Sequence, residues 1–224
     1  MLFSTREEPG YKGRTMEEFA SCKREVSSVG KTFRFIKTHA QIQHLPGIWN
    51  RDSKSKRFIG RAIVVTRNPK DACVSMYYHA SRIPAFKYNG PFEDWIEKYY
   101  EGNVESGSFW DWHAGWRKEY ENNVDKKILW IHFEDMKANP RQEIERVGRF
   151  LGLDKSKDFE NAIDRALAGS TFKKMKNQYK SGHFRKGKSG GWRSYFTQAQ
   201  SEAFSARHEE KLKEFPSLLQ KYKF

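Results

Sequence analysis

Three short stretches of this chain combine residue types that handle anions and protons. Lys37-Thr38-His39 closes the β-prone run Phe33-Arg34-Phe35-Ile36. A histidine at the carboxyl end of a strand suits general-base work, because its ordinary pKa of about 6.5 lets it accept a proton near neutrality. Lys37, two residues away, lies on the same side of an extended chain, where an ammonium can neutralise charge on a transferring group. The competing reading is an ordinary packing or surface histidine. In the second stretch, Thr66-Arg67-Asn68-Pro69-Lys70-Asp71, Arg67 falls where a strand gives way to a helix. Its guanidinium and the free N–H groups of the helix start can converge on one anion. Ser75, one turn beyond Asp71, can add a hydroxyl; the plainer alternative is a strand-end arginine paired with a surface carboxylate. The third stretch runs from Lys180 to Gly191 and holds Arg185-Lys186-Gly187, basic residues interleaved with glycines. Such a loop can bring side chains and backbone N–H groups around a phosphate. A solvated linker or a nucleic-acid arm has the same composition.

A fourth stretch, Ser28-Val29-Gly30-Lys31-Thr32, ends like a phosphate-cradling nucleotide loop. That loop requires a glycine where Glu25 stands, and it should open a helix. Here it precedes a strand, so a turn is expected.

The elements that must position these residues follow from local pattern. Thr15-Met16-Glu17-Glu18 has the form of a capping box and predicts a helix through about Val26, after a loose first stretch. Strands are expected at Phe33–Ile36, Ala62–Thr66 and Ile128–Phe133, each short and mostly apolar, as strands covered on both faces are. Asn68, Pro69 and Asp71 read as N-cap, first helical residue and early carboxylate, and the stripe Ala72, Cys73, Met76, Tyr77, Ala80 follows at helical spacing. Further helices are predicted over Pro91–Glu101, Phe109–Glu119, Pro140–Leu151, Asp158–Ala168 and Thr197–Glu214. Strands alternating with helices imply an α/β fold, a parallel β-sheet flanked by helices, with ligands beyond the carboxyl ends of the strands.

The 224 residues fit one domain with a real core, and 15% aromatic content argues against a disordered polyampholyte. A net charge of +14 attracts polyanions without choosing among nucleic acids, membranes and nucleotides. Two cysteines, Cys22 and Cys73, exclude a disulfide framework and make thiolate zinc sites unexpected; a reducing, cytoplasmic setting is the expectation. No run approaches the ~18 apolar residues of a membrane span, and no signal-peptide core follows Met1.

Taken in order, Lys37-Thr38-His39, Arg67 to Asp71 with Ser75, Phe133-Glu134-Asp135, Ser170 to Met175, and Arg185-Lys186-Gly187 with Gly191-Trp192 and Phe196-Thr197 resemble the cytosolic sulfotransferases. The likeness runs from about Phe33 to Phe215. It implies a fold related to the P-loop nucleotide hydrolases and transfer of a sulfonate from 3′-phosphoadenosine 5′-phosphosulfate (PAPS) to a hydroxyl or amine of a small acceptor. By matched position, His39 would be the base and Lys37 would hold the acceptor or the departing charge. Arg67 and Ser75 would bind the 3′-phosphate. Phe133, Ser170, Phe172 and Met175 would contact the nucleotide, and Arg185, Lys186 and Gly187 would close over the 3′-phosphate. The resemblance requires no metal and no membrane.

The chain departs from the family pattern in four places. Phe133 replaces a tyrosine, and Gly190-Gly191-Trp192 replaces glycine-aspartate-tryptophan. The dimerisation motif is matched only in outline by Arg193 to Glu202, which leaves a homodimer open. Nothing before Lys37 matches the family's first strand and 5′-phosphosulfate loop, so the chain reads as amino-terminally incomplete. Two further readings remain: a non-catalytic remnant that binds 3′-phosphoadenosine nucleotides, and a basic nucleic-acid-binding protein, for which charge and aromatic content speak but the ordered motifs do not.

Overall fold

The structure, a computed structural model, describes residues 24–28, 31–35, 37–42, 61–83, 86–122, 127–178 and 187–222. They fall into two compact units, residues 1–66 with 123–178 and residues 67–122 with 179–224.

Among its described residues, the first unit contains two strand pairs. β1 (Arg24–Ser28) and β2 (Lys31–Phe35) form an antiparallel ladder in which Ser28 faces Lys31. The expected helix through Val26 is therefore corrected at its end, since Arg24 to Val26 are strand, while Thr15 to Glu18 lie outside the described residues. A hairpin supplies β1 with a full row of backbone partners, which outweighs a local cap signal. Lys31 and Thr32 begin a strand, not the helix that a nucleotide loop should open, while Val29 and Gly30 lie outside the described residues.

β3 (Ala62–Thr66) and β4 (Ile128–His132) pair in parallel, from Ala62 opposite Ile128 to Thr66 opposite His132. In β3, Ala62, Val64 and Thr66 are buried and Ile63 and Val65 half-buried, the near-continuous covering expected of parallel strands. The predicted third strand stops one residue early, because Phe133 starts a helix. Glu134 and Asp135 fall in that helix's first turn, where negative charge is favoured.

Among its described residues, four helices follow. They are α4 (Phe133–Ala138), α5 (Pro140–Phe150), α6 (Phe159–Gly169) and α7 (Phe172–Gln178). Pro140 occupies the first turn of α5, where its missing N–H costs nothing. Arg146 donates twice to the buried Glu143 and once to the Trp130 carbonyl at 3.2 Å, tying α5 to β4. Gly148 permits close approach of α5 to α6, since a Cβ there would lie 2.4 Å from Phe159 Cε2.

The second unit is helical. It holds α1 (Pro69–Arg82), α2 (Phe92–Glu101), α3 (Phe109–Glu121), a 3₁₀ turn at Gly191–Ser194, α8 (Gln198–Leu212) and α9 (Pro216–Lys221). The core is aromatic: Trp95, Tyr99, Tyr100, Trp110, Phe196 and Phe204 are buried. Edge-to-face and tilted ring pairs, such as Phe196 with Phe204 at 5.4 Å and Tyr100 with Phe204 at 5.1 Å, add packing specificity to their area burial. Two buried indole N–H groups find acceptors, Trp95 donating to the Cys73 carbonyl and Trp110 to His208 Nδ1. Thr197 and Gln200 form a reciprocal capping box at the start of α8. Pro216 both stops α8 and opens α9.

Candidate active site

In the second unit the first turn of α1 is the organising feature. Asn68 Oδ1 accepts from the amides of Lys70 at 3.0 Å and Asp71 at 3.2 Å, and the Asn68 carbonyl accepts from Ala72 N at 2.8 Å. The cap was legible in the sequence, but it corrects one expectation. With proline first and the next amides taken by Asn68, these helix N–H groups are engaged within the turn. An anion here would meet side-chain charge and the helix dipole instead.

Arg67 is half-buried, and its Nη2 donates to the Lys188 carbonyl at 3.1 Å. Gly187, one residue earlier, has φ +61°, and Gly190 has φ +79°, both in the left-handed region that glycine tolerates. The structure thus brings Arg67 together with the end of the basic loop. Arg185 and Lys186 themselves lie outside the described residues. Ser75 is exposed on α1, off the buried residues Cys73 and Val74.

Sequence reasoning missed Lys70 and Asp71 as long-range partners. Both are fully buried. Asp71 accepts from Gly190 N at 2.6 Å and Trp192 N at 3.0 Å. Lys70 Nζ donates to Ser201 Oγ at 2.7 Å and Ser205 Oγ at 2.9 Å, and lies 4.5 Å from the Trp192 ring centre. Burial, with the nearby Arg193 guanidinium as a smaller cause, pulls the Lys70 pKa down to about 8. The available signal was two charged residues adjoining the stripe at the first turn, a position that could equally have faced solvent.

In the first unit, Lys37 is half-buried, Thr38 buried and His39 exposed. Thr38 Oγ1 accepts from Ala40 N at 2.9 Å, a local side-chain-to-backbone bond that spans His39. At the carboxyl ends of β3 and β4, Thr66 Oγ1 lies 2.9 Å from His132 Nδ1 and accepts from Trp130 Nε1 at 3.2 Å. Half-buried Phe133 follows directly. Ser170 is exposed at the end of α6, its hydroxyl donating to the Leu167 carbonyl at 3.3 Å. Phe172, half-buried, opens α7, which also contains Met175.

The described residues thus comprise one α/β unit with a parallel strand pair and, in the other unit, an arginine at the head of α1 that donates to the Lys188 carbonyl of the glycine-rich strip. The chain belongs to the sulfotransferase-domain family, whose model matches residues 13–216. Sulfotransferase 1E1 of Cavia porcellus is 32% identical over 196 residues, covering 80% of this chain and 62% of the relative. Sulfotransferase 1B1 of Mus musculus is 34% identical over 196 residues, covering 80% and 61%. The crystal structure of mouse sulfotransferase SULT7A1 complexed with PAP is similar with a TM-score of 0.63 and 27% identity, over 72% of this chain and 62% of that one. This chain spans about three fifths of the length of the curated relatives it matches.

Proposed function

We propose that the protein is a PAPS-dependent sulfotransferase, a single domain that transfers a sulfonate to a hydroxyl or amine of a small acceptor. One observation carries the reading most directly. Arg67, at the head of α1, holds the carbonyl of Lys188 in the loop that follows Arg185-Lys186-Gly187. Residues far apart in the chain thereby share one neighbourhood, as a site for a 3′-phosphate demands. Membership of the sulfotransferase-domain family supports the same assignment, as does a PAP-bound similar structure.

In this reading Arg67, Ser75, Arg185, Lys186 and Gly187 bind the 3′-phosphate, and Phe133, Ser170, Phe172 and Met175 form the nucleoside contacts. His39 takes the acceptor proton as the acceptor atom attacks sulfur in line. The new bond to sulfur forms while the bond to the bridging oxygen of the phosphosulfate breaks, releasing PAP. Lys37 stabilises charge in that exchange. Such a transfer depends on positioning and positive charge more than on a protein nucleophile.

The test is incubation with radiolabelled PAPS and a panel of phenols, alcohols and amines. Labelled ester or sulfamate that disappears with His39→Ala supports the assignment. PAP binding without transfer to any acceptor would leave the non-catalytic nucleotide binder in its place.

A further inference from the structure

Asp71 stands at a helix start, where an exposed carboxylate needs only the dipole to be favourable. Instead it is fully buried, and both its oxygens are committed to backbone amides more than a hundred residues away, at Gly190 and Trp192. Charge-assisted bonds to a carboxylate are the strong kind, and two from one short stretch fix orientation as well as distance. Gly190 meets this demand with φ +79°, and a Cβ there would lie 2.9 Å from Arg193 Nη1. Arg67 holds Lys188 from the same turn, and Lys70 supports the Trp192 ring. Residues 67–71 therefore grip alternate residues of the strip at 188, 190 and 192.

We infer that Asp71 is a positioning residue for nucleotide binding: its carboxylate fastens the strip 188–192 to the first turn of α1 and so holds Lys188 against Arg67. The inference rests on the nucleotide-binding reading above and adds to it a residue that need not touch the ligand. Asp71→Asn keeps size and the Asn68 cap but turns one acceptor into an amide donor facing an N–H, which releases one end of the strip.

Hydrogen exchange and calorimetric titration with PAP on the wild type, Asp71→Asn and Gly190→Ala test this, the last variant serving if Asp71→Asn does not fold. Exchange at the amides of positions 190 and 192 should speed up about tenfold or more in either variant while the amides inside α8 keep their protection. PAP affinity should fall about tenfold, and Asp71→Asn should add less than about twofold when Arg185 is already alanine, because the two act through one loop. Unchanged exchange would overturn the fastening itself. Faster exchange with full PAP affinity, or an undiminished effect in the Arg185→Ala background, would overturn the positioning role. Failure of the wild type to bind PAP would instead overturn the nucleotide reading, and with it any role toward phosphate.

Discussion

The guanidinium of Arg67 donates to the carbonyl of Lys188 across 121 residues of chain. That bond makes the turn after β3 and the glycine-rich strip one structural object. In the proposed reading, a phosphate bound there would meet the planar, permanently charged guanidinium of Arg67.

Substituting the proposed base should separate chemistry from binding. His39→Ala is expected to lower turnover by about 10²- to 10⁴-fold, the range for loss of a positioned acid–base group, with nucleotide affinity nearly unchanged. Steady-state rates alongside PAP titrations check this, and equal losses in both would argue against His39 as base.

Stability should depend on pH through two buried groups of the second unit. Burial, with the Lys70 charge as a smaller cause, pulls His208 down to about 4, and its Nδ1 accepts the Trp110 N–H at 3.3 Å. The unfolded chain binds a proton near 6.5 that the folded form refuses, so stability from His208 is complete above pH 6.5 and is lost as pH falls toward 4. Lys70, pulled down to about 8, acts in the alkaline range. The unfolded chain keeps that proton up to about 10.4, so stability rises between pH 8 and 10 on its account. Urea unfolding at a series of pH values should show both slopes. His208→Gln should flatten the acid one.

Packing in the first unit should be sensitive at Gly148. A methyl there would meet Phe159 Cε2 at 2.4 Å, so Gly148→Ala must push α5 from α6 or displace the buried ring. A loss of about 1–3 kcal/mol is expected, the usual cost of overpacking. Denaturant midpoints of the two proteins measure it, and Phe159→Leu in the Gly148→Ala background should recover part of the loss.

Much of this arrangement was legible in the residues because the signals were local. The β-branched run Ala62–Thr66, the Asn68-Pro69 helix start and the Pro140 start announce themselves through backbone chemistry that needs no distant partner. The hairpin of β1 was hidden, since Arg-Glu-Val-Ser-Ser lacks strand propensity and is held by pairing with β2. The short helices α4, α7 and α9 offered too few turns for a period to show. The candidate site divided the same way. Arg67 could be marked from its place in a strand–turn–helix pattern. The roles of Lys70 and Asp71 appear only when Trp192 and Gly190 are brought beside them by the fold.

The central claim is that the head of α1 and the basic loop together bind a 3′-phosphate. Calorimetric titration of PAP into the wild type and Arg67→Ala is its most direct test. The account predicts saturable one-to-one binding, weakened by about 1–3 kcal/mol when the charged hydrogen-bond donor is removed. Binding of equal strength in both proteins would contradict it.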